Sequence, residues 1–267
     1  MNVSGCTFNM ELPPVLYRFR PWSVVRVGEA DRKSISEIEG RFAYFSSPLR
    51  FNDPQDSLLG PEYSGGRGDI DRFAVHGLGN FLHLARKKGC LMTELDSNDP
   101  EVQTEERERE RRENRKNSRV CCFSWDWSSP LLWTFYAQDH QGFCLGYGTD
   151  GDLLRRARPV IYTHSPTDVL HLEDAATHND QLSFCKSTEW QFEKEWRVCL
   201  PEPEPKRVDL TNEKLVSVHV GYRMKDPQLQ ELANALRKAG HRPEETKLFQ
   251  IERMHMSFIL SLRPINW

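Results

Sequence analysis

Two carboxylates and a guanidinium alternate within Trp190-Gln191-Phe192-Glu193-Lys194-Glu195-Trp196-Arg197-Val198. As a strand, this stretch sorts by face. Trp190, Phe192, Trp196 and Val198 lie on one side with Lys194, and Gln191, Glu193, Glu195 and Arg197 on the other. Carboxylates at this spacing sit roughly 6.5–7 Å apart along the backbone, near enough for their protonation to interact where water is excluded. The same pattern also describes a half-buried strand with a salt-bridged outer face, where exposed ion pairs contribute little.

Further polar residues stand beside short apolar runs: Arg18 and Arg20; Tyr44, Ser46 and Ser47; Asn52, Asp53 and Asp56; Ser124; Tyr136 and His140. Asp53 and Asp56 read as turn residues of Phe51-Asn52-Asp53-Pro54-Gln55-Asp56. Joined by His140 and Glu195, they could instead form a divalent-metal nuclease site. His140 lies near a predicted helix C-terminus, which favours an imidazolium. Trp133 and Trp196 read as core residues. The chain has no phosphate-binding loop, no paired-histidine zinc motif, no Gly-x-Ser-x-Gly and no paired-cysteine zinc spacing.

The elements that must hold these residues alternate irregularly. Val15–Arg20 reads as a first strand and Glu29–Glu39 as a helix stopped by Gly40. Arg41–Ser47 reads as a second strand closed by Pro48. Asp69 caps a predicted helix over Ile70–Lys88. Val120–Ser124 is a strand, and Ser129-Pro130 opens a helix over Leu131–His140. Strands follow at Phe143–Tyr147, Val160–Tyr162, Trp190–Val198 and Leu215–Gly221. Asp226-Pro227 starts a helix with Leu229, Leu232, Ala233 and Leu236 on one face, ended by Gly240. Phe249–Ile251 and Ser257–Leu262 close the chain. The expected class is α+β: a mixed, mostly antiparallel sheet with flanking helices. Residues 1–14 read as a loose leader and 15–267 as one domain, with a charged helical or mobile insert at about 97–119.

At 267 residues the chain is long enough for a substantial core. A net charge of −3 argues against a general polyanion binder but allows a local basic cleft. No apolar run reaches the ~20 residues of a membrane helix, and the N-terminus lacks a signal-peptide pattern. Seven cysteines without Cys-x-x-Cys spacing fit a reducing cytoplasm, with Cys144, Cys185 and Cys199 as small buried apolar residues.

Taken in order, Leu16-Tyr17-Arg18-Phe19, Phe51-Asn52-Asp53-Pro54-x-Asp56, Cys122-Phe123-Ser124, Leu132-Trp133 with Tyr136-Ala137 and His140-x-Gly142, and Trp190-x-x-Glu193-Lys194-Glu195-Trp196-Arg197 resemble a bacterial domain-of-unknown-function family found in phage-defence and toxin-like settings. The resemblance spans about residues 15–221. More distantly, Arg18, then Ser46-Ser47, then Glu193-Lys194-Glu195 is similar to the arginine–serine–glutamate order of ADP-ribosyltransferases. Here the serine motif is Ser46-Ser47-Pro48 rather than that family's Ser-Thr-Ser.

This second resemblance implies an ADP-ribosyltransferase-like fold and an enzyme that consumes NAD as substrate, with no metal. Arg18 would hold the NAD phosphates or the neighbouring ribose, and Ser46 would brace the catalytic carboxylate. Tyr44 or Tyr136 would stack on the nicotinamide. Glu195 would stabilise the developing oxocarbenium charge, and Glu193 would orient or deprotonate the acceptor. Implied partners are NAD, a protein or nucleic-acid acceptor and a cognate antitoxin or regulator, without a membrane. Two other classes stay open: the nuclease using Asp53, Asp56, His140 and Glu195, and a non-enzymatic sensor or interaction domain.

Overall fold

The computed structural model describes residues 10–24, 32–53, 56, 87–88, 99–102, 105, 118–164, 184–201 and 206–267. The elements run β1 (Val15–Arg20), β2 (Ser23–Val24), β3 (Arg32–Lys33), α1 (Ile35–Glu39), β4 (Phe42–Tyr44), β5 (Ser118–Ser124), α2 (Pro130–Tyr136) and β6 (Phe143–Gly148). They continue with β7 (Arg158–Pro159), β8 (Ile161–Thr163), β9 (Cys185–Ser187), β10 (Glu195–Pro201), β11 (Arg207–Asp209), β12 (Leu215–Val220), α3 (Asp226–Lys238), β13 (Lys247–Arg253) and β14 (Leu260–Ile265).

One eight-stranded sheet dominates the described residues, in the order β14-β13-β12-β6-β1-β5-β10-β7. Only its β12–β13 pair is parallel; its other ladders are antiparallel. The mostly antiparallel α+β expectation therefore holds. The alternation of β1 explains why the sheet is buried on both faces. Leu16 points into a core with Phe123, Trp196, Val198, Leu145 and Leu236. Tyr17 and Phe19 point the other way, against a cluster of Trp133, Ala137, Cys144, Ile251 and Leu260.

The two longer helices carry their expected start signals. Ser129 Oγ accepts from the Leu132 amide at 3.5 Å, and proline follows it. The Lys225 amide donates to the Gln228 side chain at 3.0 Å, while Leu232, Ala233 and Leu236 bury one face of α3.

The sheet has one seam. β1 and β5 share a single register pair, Tyr17–Ser124. Continuing that register would oppose Val120 to Pro21, which has no amide hydrogen to offer. Ser46 takes that place instead: its amide donates to the Val120 carbonyl at 2.9 Å, and the Val120 amide returns the bond at 2.9 Å. The segment after β4 thus wedges beside β5 and holds it away from β1, leaving a cavity between the two strands.

Several expectations change. Trp190–Val198 is not one strand: Thr188–Glu193 forms a 3-10 turn, Lys194 is left-handed (φ 47°, ψ 48°), and the strand starts at Glu195. Its alternation of aromatic and polar residues imitates a period of two, but Trp190 and Phe192 pack on each other at 5.9 Å, and Phe192 on Phe135 at 6.0 Å. The helix predicted over Glu29–Glu39 is confined among described residues to Ile35–Glu39. Arg32–Lys33 pairs with Ser23–Val24, and the Ser34 amide bonds the Trp22 carbonyl at 3.2 Å.

The helix expected to reach His140 ends at Tyr136, because Gln138, Asp139 and His140 are all left-handed. The last strand runs through Leu260–Ile265 rather than starting at Ser257. Of the loose leader, Pro13 and Pro14 are tied down: their carbonyls accept from Thr149 Oγ1 at 2.6 Å and the Thr149 amide at 3.2 Å. Most of the predicted helix at Ile70–Lys88 and of the insert at 97–119 lies outside the described residues.

Candidate functional site

The cavity at the seam has a volume of about 330 Å³. Arg18, Tyr44, Ser46, Tyr136, Glu193 and Glu195, the residues singled out in the sequence, all line it. Its walls also carry aromatic and basic side chains, among them Tyr17, Phe19, Phe51, Arg20, Arg50 and Lys186. That volume is near the lower end of the roughly 300–1,000 Å³ typical of small-molecule sites.

One end is an ion network built on β10. Arg197, fully buried, reaches Asp56 through two parallel bonds (2.9 and 2.6 Å) and Glu195 through two more (2.8 and 2.9 Å). The Lys186 ammonium lies 2.5 Å from Glu193, 3.3 Å from Glu195 and 3.4 Å from Asp56. Tyr136 donates its hydroxyl to Glu193 and accepts from the Asn52 amide at 2.9 Å. The Tyr162 hydroxyl accepts the Glu195 backbone amide at 2.8 Å, and the Cys122 thiol bonds the Glu195 carboxylate. Because Lys194 turns the chain left-handed, Glu193 enters this cavity from the 3-10 turn beside Glu195 on its strand.

The two glutamates are driven apart electrostatically. Burial raises Glu193, the Glu195 charge raises it further, and Lys186 and Tyr136 compensate only in part, so its pKa is pushed up to about 7. Burial also works to raise Glu195, but Arg197 and Lys186 outweigh it and hold that carboxyl well below the usual range. Glu195 is thus a fixed anion and Glu193 a group that exchanges a proton near neutrality, the division that acid–base sites use. Burial likewise pushes up the Tyr136 hydroxyl and the Cys122 thiol.

The other end is cationic. Arg18 reaches the cavity from the opposite face of the sheet. Its guanidinium binds Glu37 at 3.3 Å, the Cys121 sulfur, and the Tyr44 carbonyl across the seam at 3.2 Å. Arg20 pairs with the same Glu37 at 2.6 Å. Exposed Arg50 adds a third guanidinium to the lining. Among the described residues, three arginines with one carboxylate leave this wall net positive.

Some expected roles shift. Glu195 is braced by Arg197 and Lys186, while Ser46 acts through its backbone on Val120. Arg18 is occupied by protein groups, leaving Arg20 and Arg50 as the more available cations. Tyr136 uses its hydroxyl on Glu193. Asp56 and Glu195 do converge, but on Arg197 and Lys186, which fill the space between them. His140 does not line the cavity: it stacks on Trp133 at 6.0 Å and approaches Tyr222 at 4.5 Å. Burial lowers its pKa, against the expectation of a favoured imidazolium.

Among the described residues, no group of three or more His, Cys, Asp or Glu side chains is arranged to hold a metal ion, and no helix is long and apolar enough to cross a membrane. Sequence reasoning missed Lys186 as a site member and named Asn52 without giving it a role. Lys186 lies on a three-residue strand outside every motif, whereas Asn52 stands within one. No family model, curated protein or solved structure matches this chain.

Proposed function

We propose that this chain is an NAD-consuming, ADP-ribosyltransferase-like enzyme acting on a macromolecular acceptor, a reading that fits a toxin or defence effector. The observation that carries it is the gathering of Arg18, Tyr44, Ser46, Tyr136, Glu193 and Glu195 around one cavity with the paired glutamates at one end and arginines at the other. NAD has matching polarity, a nicotinamide cation joined through ribose to phosphates. The cavity suits the reacting half of such a dinucleotide, with the phosphates toward Arg20 and Arg50.

In this reading the bond between ribose C1′ and the nicotinamide nitrogen breaks. Its electron pair passes to the pyridinium ring, and neutral nicotinamide leaves. The permanently charged Glu195 carboxylate stabilises the positive charge that grows on the ribose. The acceptor, or water in its absence, bonds C1′ and gives its proton to Glu193.

The test is incubation of the purified chain with NAD, with nicotinamide read by chromatography and binding by thermal shift. Release that is lost in Glu195→Gln supports the proposal; neither release nor a shift in Tm refutes it. A second reading, a sensor domain that binds without reacting, is favoured by one observation: the charged groups of Arg18 and Glu195 are engaged inside the protein. NAD-dependent stabilisation with no nicotinamide at any pH would select it.

A further inference from the structure

We infer that Lys186 is the positioning residue of this site: its ammonium holds Glu193 and Glu195 side by side and lets Glu193 act as a base. The inference rests on the reading of these two glutamates as the reacting carboxylates, but its test requires no substrate.

An ammonium has three N–H donors, and Lys186 Nζ faces one oxygen of each of three carboxylates, Asp56, Glu193 and Glu195. It also sits 4.8 Å from the centre of the Trp190 ring, against the cation-attracting face. Its side chain is 4% exposed, so water does little to screen these contacts. Arg197 neutralises Asp56 and Glu195 but makes no bond to Glu193. Among the described residues Lys186 is thus the cation that Glu193 touches, and Glu193 and Glu195 meet on its single nitrogen.

Each described element around this centre presents a group to it. β10 brings Glu195 and Arg197, the 3-10 turn Glu193, the turn after β4 Asp56, α2 Tyr136, β8 Tyr162, β5 Cys122 and β9 itself Cys185. Of these, Arg197 and Lys186 are the cations, set against three carboxylates. Without Lys186, Glu193 would lie in a dry space beside the Glu195 charge with no described cation bonded to it. Glu193 would then keep its proton to higher pH. A scaffold lysine could be replaced by any side chain that fills its volume, whereas a lysine with this electrostatic role could not.

The test is an NMR titration of protein carrying ¹³C at the glutamate carboxyl carbons, with Glu193 assigned by its absence in Glu193→Gln. In wild type, Glu193 should titrate near neutrality. In Lys186→Met, with folding checked by circular dichroism, its midpoint should rise by at least about one pH unit (tenfold in proton affinity). Lys186→Arg should keep it near the wild-type value. A folded Lys186→Met with an unmoved midpoint overturns the inference.

Should Lys186→Met fail to fold, wild type decides. The ¹⁵Nζ resonance of Lys186 should shift with the Glu193 midpoint, and a resonance indifferent to that titration overturns the inference. The NAD reading fails separately, through absence of nicotinamide release, and leaves these titrations untouched.

Discussion

Glu37 offers the sharpest test of how the cavity's cationic wall is held. It is the carboxylate shared by Arg18 (3.3 Å) and Arg20 (2.6 Å), with its own side chain 1% exposed. Glu37→Gln keeps the shape and removes the charge. Removing one partner of a buried ion pair costs about 3–5 kcal/mol, because the charge left behind stays out of water. Here two guanidiniums lose their counter-ion together, so we expect the upper end, about 5 kcal/mol. In a chain of this size each kcal/mol moves Tm by about 2–4 °C, which makes the expected fall roughly 10–20 °C. Urea unfolding followed by circular dichroism at pH 7 measures it, provided the denaturant slope is unchanged. The control is Glu39→Gln, which breaks the exposed pair with Lys238 (3.3 Å) and should cost under about 0.5 kcal/mol. If Glu37→Gln costs less than about 1 kcal/mol, the wall is solvated and the picture of two arginines on one buried carboxylate is wrong.

Four further outcomes are expected. Glu195→Gln should lower nicotinamide release by about 10²–10³-fold, the scale of a lost electrostatic stabiliser, while NAD still raises Tm. Glu193, with its pKa pushed up to about 7, should give release that climbs through neutrality, and Glu193→Gln should flatten that limb. The same residue makes a sign-specific stability prediction. The folded state holds this proton more tightly than the unfolded chain, so Glu193 stabilises the fold at low pH and loses that contribution as pH rises from its ordinary carboxylate range through about 7. Glu193→Gln should therefore gain Tm relative to wild type at pH 8 compared with pH 5. Finally, a Cβ on Gly142 would overlap the Arg20 carbonyl oxygen and crowd the Ala137 carbonyl, so Gly142→Ala should cost about 2–3 kcal/mol in urea unfolding.

The fold was legible wherever local chemistry decided it. Ser129-Pro130 announced α2, the leucine spacing of α3 announced its buried face, and the alternation of Val15–Arg20 announced β1. It was misread where tertiary packing imitates a local pattern, as in the 3-10 turn at Thr188–Glu193. The site divides the same way. Arg18, Tyr44, Ser46, Tyr136, Glu193 and Glu195 stand together because β1, the end of β4, the end of α2, the 3-10 turn and the start of β10 all border the seam, whereas His140 falls outside it. What binds them could not be read, since the Arg197–Asp56 pair spans 141 positions and no periodicity records such a partnership. Lys186 carried no signal at all, and its importance comes from three carboxylates arriving from distant segments. Arg18 was recognised as a site residue, but its commitment to Glu37 across 19 positions was equally invisible.

The single Tyr17–Ser124 rung also has a mechanical meaning. Strands β14 to β1 form one plank and β5, β10 and β7 another, joined at one end and propped open at the other by Ser46. Such planks can pivot about their common rung far more readily than a fully laddered sheet can bend. An occupant gripping both would fix the angle between them.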